Sequence, residues 1–206
     1  MFDIQNYGSF IMAVFVFQLI PGAGTITILN ATARNGVGSG MKAVFGTLSG
    51  DFIYMLAAVL GLAAILSAYP SILASAQWVG VAYLCWLGLK LLRASMTDEP
   101  SDVALKLEGW AYFRQALAVS LTNPQVIMFF MAFFPLFLSA ESTPGTLLTL
   151  MAHVTAISFL YQTSLVLVGN VLTRKFSQWK YARVVATRLA GMAFIGLGLK
   201  LAFDNR

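Results

Sequence analysis

Three stretches of this chain carry residues that could do chemistry in surroundings that are otherwise apolar. The first is Phe17-Gln18-Leu-Ile-Pro21-Gly22-Ala-Gly24-Thr25, inside an uncharged span from Ile4 to Ala33. Pro21 has no N–H, so the carbonyl of Phe17 loses its i+4 donor, and Gly22 and Gly24 remove the side chains that favour a helix. The second is Ser120-Leu-Thr-Asn123-Pro124-Gln125, where Pro124 does the same to the carbonyl of Ser120. The third is Asp51, nine residues past Lys42 and therefore roughly 14 Å along a helix that starts there. A broken apolar helix offers half-helix N-termini to an anion and unmade carbonyls to a cation. A deep carboxylate costs a few kcal/mol unless it is paired or protonated, so Asp51 is a candidate to hold an ammonium and to take up a proton. The plainer alternatives are a proline kink used for packing and an Asp that only satisfies a neighbouring break.

These groups need helices that cross a bilayer. The chain is 59% hydrophobic and 10% charged, with a mean hydropathy of +0.79, which leaves too little polar surface for a soluble domain of 206 residues. Six spans can be laid out, at about 7–30, 42–66, 71–92, 112–138, 145–172 and 184–203. Six is even, so both termini share one side. Assigned to its nearest loop, each basic residue but Lys200 and Arg206 falls on the opposite side: 11 of 13. The positive-inside rule makes that side cytoplasmic and puts both termini outside. The basic residues lie at span ends, which reads as topology and not as a nucleic-acid surface. Trp110 and Tyr112, and Trp179 and Tyr181, are candidate interfacial anchors. The N-terminal apolar span is too long for a cleaved signal. The single Cys85 excludes an internal disulfide and gives no metal cluster, and no cofactor is expected.

The two halves look alike. Leu87-Gly88-Leu89-Lys90-Leu91 recurs as Leu197-Gly198-Leu199-Lys200-Leu201, preceded by Gly80-Val-Ala-Tyr83 and by Gly191-Met-Ala-Phe194. Three spans per half is odd, so the second half would cross in the opposite sense, an inverted repeat. That plan demands a break in span 4 to match the one in span 1, and Asn123-Pro124 supplies it. The expected fold is an all-α membrane protein: a first three-helix repeat over 1–93, a cytoplasmic linker over 94–111 and a second repeat over 112–206. Gly46 and Gly50 form a small-xxx-small face for close helix contact, most simply with the broken span 1. Gly36, Gly38 and Gly40 read as a flexible cytoplasmic turn. His153, the single histidine, sits nearer the outer face, where it is either a packing residue or a second proton carrier beside Asp51.

Pro21-Gly22 in span 1, Gly50-Asp51, Tyr83-Leu84 through Gly88-Leu89-Lys90, and Asn123-Pro124 followed by Phe133-Phe134-Pro135-Leu136-Phe137 together resemble the LysE/RhtB amino-acid exporter family, over essentially the whole chain. Ala23 stands where that family's first motif usually has a second proline, and Gln125 where its span 4 motif often has lysine, a lost cation that bears on the substrate. The resemblance implies a transporter and not an enzyme: a secondary-active exporter of amino acids or small derivatives in the inner membrane, driven by protons. Phe17, Gln18, Pro21, Gly22, Gly24, Thr25, Ser120, Asn123, Pro124 and Gln125, with Thr27 as further polar wall, would then bind substrate. Asp51 and His153 would couple to protons. A metal-cation exporter is the alternative within transport, and an intramembrane enzyme or scaffold the alternative outside it, although no hydrolase, metalloprotease or P-loop pattern occurs. A homodimer stays open.

Overall fold

The computed structural model describes residues 4–20, 22–68, 72–93, 109–138, 142–172 and 180–204. Seven α-helices and one 3₁₀ turn make up the described residues, and no strand is found among them. They are α1 (Tyr7–Leu19), α2 (Ala23–Ala68), α3 (Ile72–Arg93), α4 (Ala111–Leu121), α5 (Pro124–Phe133), the 3₁₀ turn Phe134–Phe137, α6 (Pro144–Leu172) and α7 (Lys180–Asp204). The Ala94–Glu108 part of the expected linker, together with Trp179, lies outside the described residues.

Two stretches, Ala23–Leu62 and Pro144–Gly169, are long and apolar enough to cross a bilayer. The α4–α5 pair passes the same test across a bend of 58°. The stretch from Ala31 to Met41 differs from expectation. It is helical except at Asn35 (φ −130°, ψ 18°) and Gly36 (φ 76°, ψ −172°), so the turn is two residues long and separates two arms of α2. Gly36 is the position that needs glycine, because its φ lies in the left-handed region. The arms then pack closely: a Cβ on Gly40 would run into Thr32 and into Val166 of α6.

Where lipid is the solvent, helices associate through close packing and hydrogen bonds. The core is aromatic, with Phe10, Phe129, Phe133, Phe134, Phe137 and Phe194 fully buried. Phe10 lies 5.7 Å from Phe133 and 5.3 Å from Phe137 between ring centroids, which fastens α1 to α5. Glycines set the α3–α7 contact. A Cβ on Gly88 would meet the Gly191 carbonyl and Ile195 at 2.6 Å, and one on Gly198 would meet Cys85 Sγ at 2.8 Å and the Val81 carbonyl at 3.4 Å. Gly88 thus relates to Gly191 and Ile195 as Gly198 does to Val81 and Cys85, with the same spacing in each. Buried and exposed positions also follow the same order over 81–93 and 191–203. The likeness ends at one place. Lys90 lies over the Trp86 ring, 5.2 Å from its centroid, whereas the matching residue is Gly196, and Lys200 donates instead to Ser9 Oγ at 2.8 Å beside a cleft of about 490 Å³.

Candidate functional site

The break in span 1 is short. Helix α1 stops at Leu19, and Ile20 is extended (φ −72°, ψ 118°). The Ile20 N–H turns back to the Phe17 carbonyl at 3.2 Å, Gly22 N–H donates to the Ile20 carbonyl at 2.8 Å, and Ile26 N–H reaches Gly22 O at 3.1 Å as the helix resumes. Pro21 itself lies outside the described residues. The carbonyls of Phe17 and Ser120 are therefore not left unmade, as the two prolines implied. Each accepts from the N–H three residues on, Ser120 from Asn123 at 3.1 Å. A carbonyl has two lone pairs, so each keeps one.

The break in span 4 is closed by side chains. Asn123 is the N-cap of α5 (φ −86°, ψ 102°), its Oδ1 accepts the Gln125 N–H at 3.1 Å, and Pro124 occupies N1, where a missing N–H costs nothing. The α5 N-terminus, expected to offer N–H groups to a ligand, is thus satisfied by its own cap. Tyr54 Oη donates to the Leu121 carbonyl, one of those orphaned at the end of α4, and Tyr83 Oη donates to Gln125 O at 3.3 Å. Thr122 Oγ1 bonds back to Ala118 O at 2.8 Å. Asn123 and Gln125 are half-buried and Pro124 is exposed.

Asp51 lies between the two breaks. The Gly46 and Gly50 face packs on α4 and not on span 1: a Cβ on Gly46 would strike the Phe113 carbonyl and come within 3.0 Å of Ala116 Cβ, and one on Gly50 would lie 2.6 Å from Ser120 Cβ. That approach brings Ser120 Oγ to donate to Asp51 Oδ1 at 2.7 Å, directly beside the second break. The first break is level with it. A Cβ on Gly24 would lie 3.2 Å from Thr47 Cγ2 across the α2 hairpin, and Asp51 is one turn beyond Thr47 as Ile20 is four residues before Gly24.

The breaks are also joined through aromatic and polar contacts. Phe17 stacks on Phe129 of α5 with centroids 3.7 Å apart and planes within 11°. Gln18 Nε2 donates to Ser158 Oγ of α6. Phe17, Gln18, Gly22, Gly24, Asp51, Ser120, Asn123 and Gln125 therefore gather in one region, with Thr25 in the first turn of α2. Thr27 turns its hydroxyl back to Ala23 O at 2.9 Å. His153 stands apart: its Nδ1 donates to Thr149 O at 2.8 Å, and its ring meets Tyr7 and Phe10 edge-on at 5.6 and 6.4 Å. A groove of about 830 Å³ between the second arm of α2 and α6, lined by Phe45, Phe52, Leu148, Met151 and Phe159 among others, touches none of the break residues.

Tyr54, Ser158, Thr47 and Gln162 were not picked out from the sequence. Tyr54 follows Asp51 by three residues and so shares its helix face, and Ser158 and Gln162 are polar residues one turn apart in an apolar span. Those are the signals that could have marked them.

Residues 15–205 match the family described as LysE type translocator. The chain is 32% identical over 205 residues to a leucine efflux protein of Klebsiella pneumoniae, covering 98% of this chain and 96% of the relative. It is 32% identical over 206 residues to an uncharacterised membrane protein of Pseudomonas aeruginosa, covering 97% and 95%. A leucine efflux protein of Salmonella typhimurium is 30% identical over 204 residues, covering 98% and 96%. No solved structure matches. A match over nearly the whole length, on a chain whose apolar helices break where the motifs stand, makes this protein a member of the LysE type translocator family.

Proposed function

We propose that this protein exports a neutral amino acid across the bacterial inner membrane in exchange for protons. The observation that carries the reading is the hydrogen bond from Ser120 to Asp51, which holds a deep carboxylate between two broken helices. The names of the relatives point to leucine or a similar aliphatic side chain. The stacked rings of Phe17 and Phe129 offer an apolar surface for it. The substrate carboxylate is received at the start of α2, where the first N–H groups have no intrahelical partner and neither Gly22 nor Gly24 carries a side chain of its own. The ammonium is received by Asp51 and the spare lone pair of the Phe17 carbonyl. A proton taken by Asp51 from outside removes the charge that holds the ammonium, and the substrate leaves.

The architecture we infer is two inverted three-helix repeats, with α1 and the first arm of α2 as span 1, the second arm as span 2, and α4 with α5 as span 4. The reciprocal glycine contacts of α3 and α7 support it. So does the crossed pairing of each break with the second span of the other half: Gln18 with Ser158, and Ser120 with Asp51. Both termini face outward and the 94–108 segment faces the cytoplasm. Single cysteines in a Cys85-free background would then react with an impermeant reagent at Asn6 and Ser142 but not at Ser101; labelling of Ser101 in intact cells overturns the orientation. The function itself is tested in proteoliposomes loaded with labelled amino acids. Efflux of leucine accelerated by an imposed inward proton gradient is expected, and efflux indifferent to that gradient removes the coupling.

A further inference from the structure

We propose that Gln162, together with Thr47, is a second recognition point for the substrate, at which the Gln162 amide oxygen accepts a hydrogen bond from the ammonium group. The proposal deepens the amino-acid reading above and rests on it. Gln162 lies in the middle of α6 at 5% exposure, and its Oε1 has no hydrogen-bond partner. A buried acceptor with nothing to accept from is costly, and among native proteins it calls for a specific cause.

Register supplies the cause. Gln18 bonds to Ser158, 140 residues on. Beyond the break, a Cβ on Gly169 would lie 3.1 Å from Leu29 Cδ2, again 140 residues apart. Helix α6 thus runs alongside span 1 on both sides of the interruption. Gln162, one turn past Ser158 on the same face and one turn before Val166, which meets Gly40 beside Thr32, lies along the stretch from Gln18 to Thr32 that holds the break. The orphaned oxygen is therefore on the helix that flanks the interrupted backbone.

Thr47 points to the same place independently. In this chain the helical hydroxyls of Thr27, Thr32, Ser49, Thr122, Thr149 and Ser164 each bond back to the carbonyl four residues before. Thr47, at 6% exposure, does not; its Oγ1 is unpartnered and lies 3.8 Å from the Cβ position of Gly24. The other three orphaned hydroxyls are Tyr112 at the start of α4, Thr155 in the α2–α6 groove and Thr163, which follows Gln162 on α6. An amide oxygen on α6, a hydroxyl at Gly24 and the Asp51 carboxylate one turn past Thr47 make an acceptor-rich set suited to an –NH₃⁺ group, which has three donors and no acceptor.

The test is direct binding to the purified full-length protein, with leucine, leucinamide (no carboxylate) and 4-methylpentanoate (no ammonium) as probes. Gln162→Leu is expected to weaken leucine and leucinamide by about tenfold and to leave 4-methylpentanoate unchanged. Gln162→Glu keeps an acceptor and should keep the preference for ammonium. Thr47→Val should act in the same direction with a smaller shift. Because Gln162→Leu removes a buried unsatisfied oxygen, the variant should melt no lower than wild type, which separates a binding role from a packing role. Its efflux should keep the wild-type pH profile, since no titrating group has changed. Equal weakening of all three probes, weakening confined to 4-methylpentanoate, or no weakening at all overturns the role of Gln162 and leaves the amino-acid reading in place. A wild-type protein that binds none of the probes removes both.

Discussion

The two breaks arise from the same device, a proline that strips an i+4 donor, yet they end in opposite condition. At Asn123-Pro124 the loose backbone groups are taken up by the protein: the Asn123 side chain caps Gln125, Tyr54 covers Leu121, and Tyr83 reaches Gln125 O. At Ile20–Gly22 the residue before the next helix is a glycine with no side chain to cap with, the helix opens on Ala23 and Gly24, and two buried acceptors on the flanking helices, Thr47 Oγ1 near Gly24 and Gln162 Oε1 on α6, have no partner among the described residues. The Asn123-Pro124 joint is finished and the Ile20–Gly22 joint is unfinished. A ligand gains most where polar groups are already out of water and unpaired, because their desolvation has been met by the fold. Chemistry should therefore concentrate at the first break, while the second holds the shape of the site and presents Asp51 through Ser120.

That contrast can be attacked at several strengths. The largest effect is expected at the point where the breaks meet. Asp51→Asn should insert and fold, since Asn is nearly isosteric and cheaper to bury, but it should abolish gradient-driven efflux and its dependence on pH, with Asp51→Glu keeping partial activity and a displaced profile. Full gradient-driven efflux by the Asn variant would end the role of Asp51 and turn attention to His153.

At the unfinished joint, Gly24→Ala puts a methyl 3.2 Å from Thr47 Cγ2 and should slow leucine efflux about tenfold, a loss of about 1.4 kcal/mol. Thr47→Ser removes that same methyl, so the double variant should recover most of the rate. An additive loss in the double variant would show that the two do not meet.

The finished joint should answer in stability instead. Tyr54→Phe leaves the Leu121 carbonyl without its donor and should destabilise the solubilised protein by about 1–3 kcal/mol in thermal or denaturant unfolding. Asn123→Ala, which removes a cap, should cost about 1 kcal/mol and the least in transport. If either variant lost transport while keeping full stability, the division of labour between the joints would fail.

Much of this was legible in the sequence because it depends on local covalent facts. Proline and glycine announced both interruptions, a residue count from Lys42 suggested a depth for Asp51, and the family motifs covered the chain. What was not legible depends on partners. Gly46 and Gly50 say that a helix may be approached closely but not which one, and α4 takes the place expected for span 1. The carbonyls of Phe17 and Ser120 could be read as losing a donor, whereas the i+3 bond that replaces it needs the backbone to be seen. Asn123 followed by Pro124 is itself an N-cap signature, so the closure of the second joint was readable in principle. Tyr54 and Gln162 could not be placed without knowing which helix faces which.

The two-residue turn at Asn35 and Gly36 bears on how the protein is made. With no linker between them, the arms of α2, if each is a span as proposed above, would enter the bilayer as a helical hairpin, clasped where Gly40 meets Thr32. The arm carrying Asp51 would thus be delivered together with Ile26, Ile28 and Leu29 of its neighbour, and the translocon would receive one apolar unit in place of a lone helix with a charge at its centre. A residue at position 36 that refuses a left-handed φ would then be felt first during biogenesis, as arms that lodge in the wrong orientation, before it was felt in any transport rate.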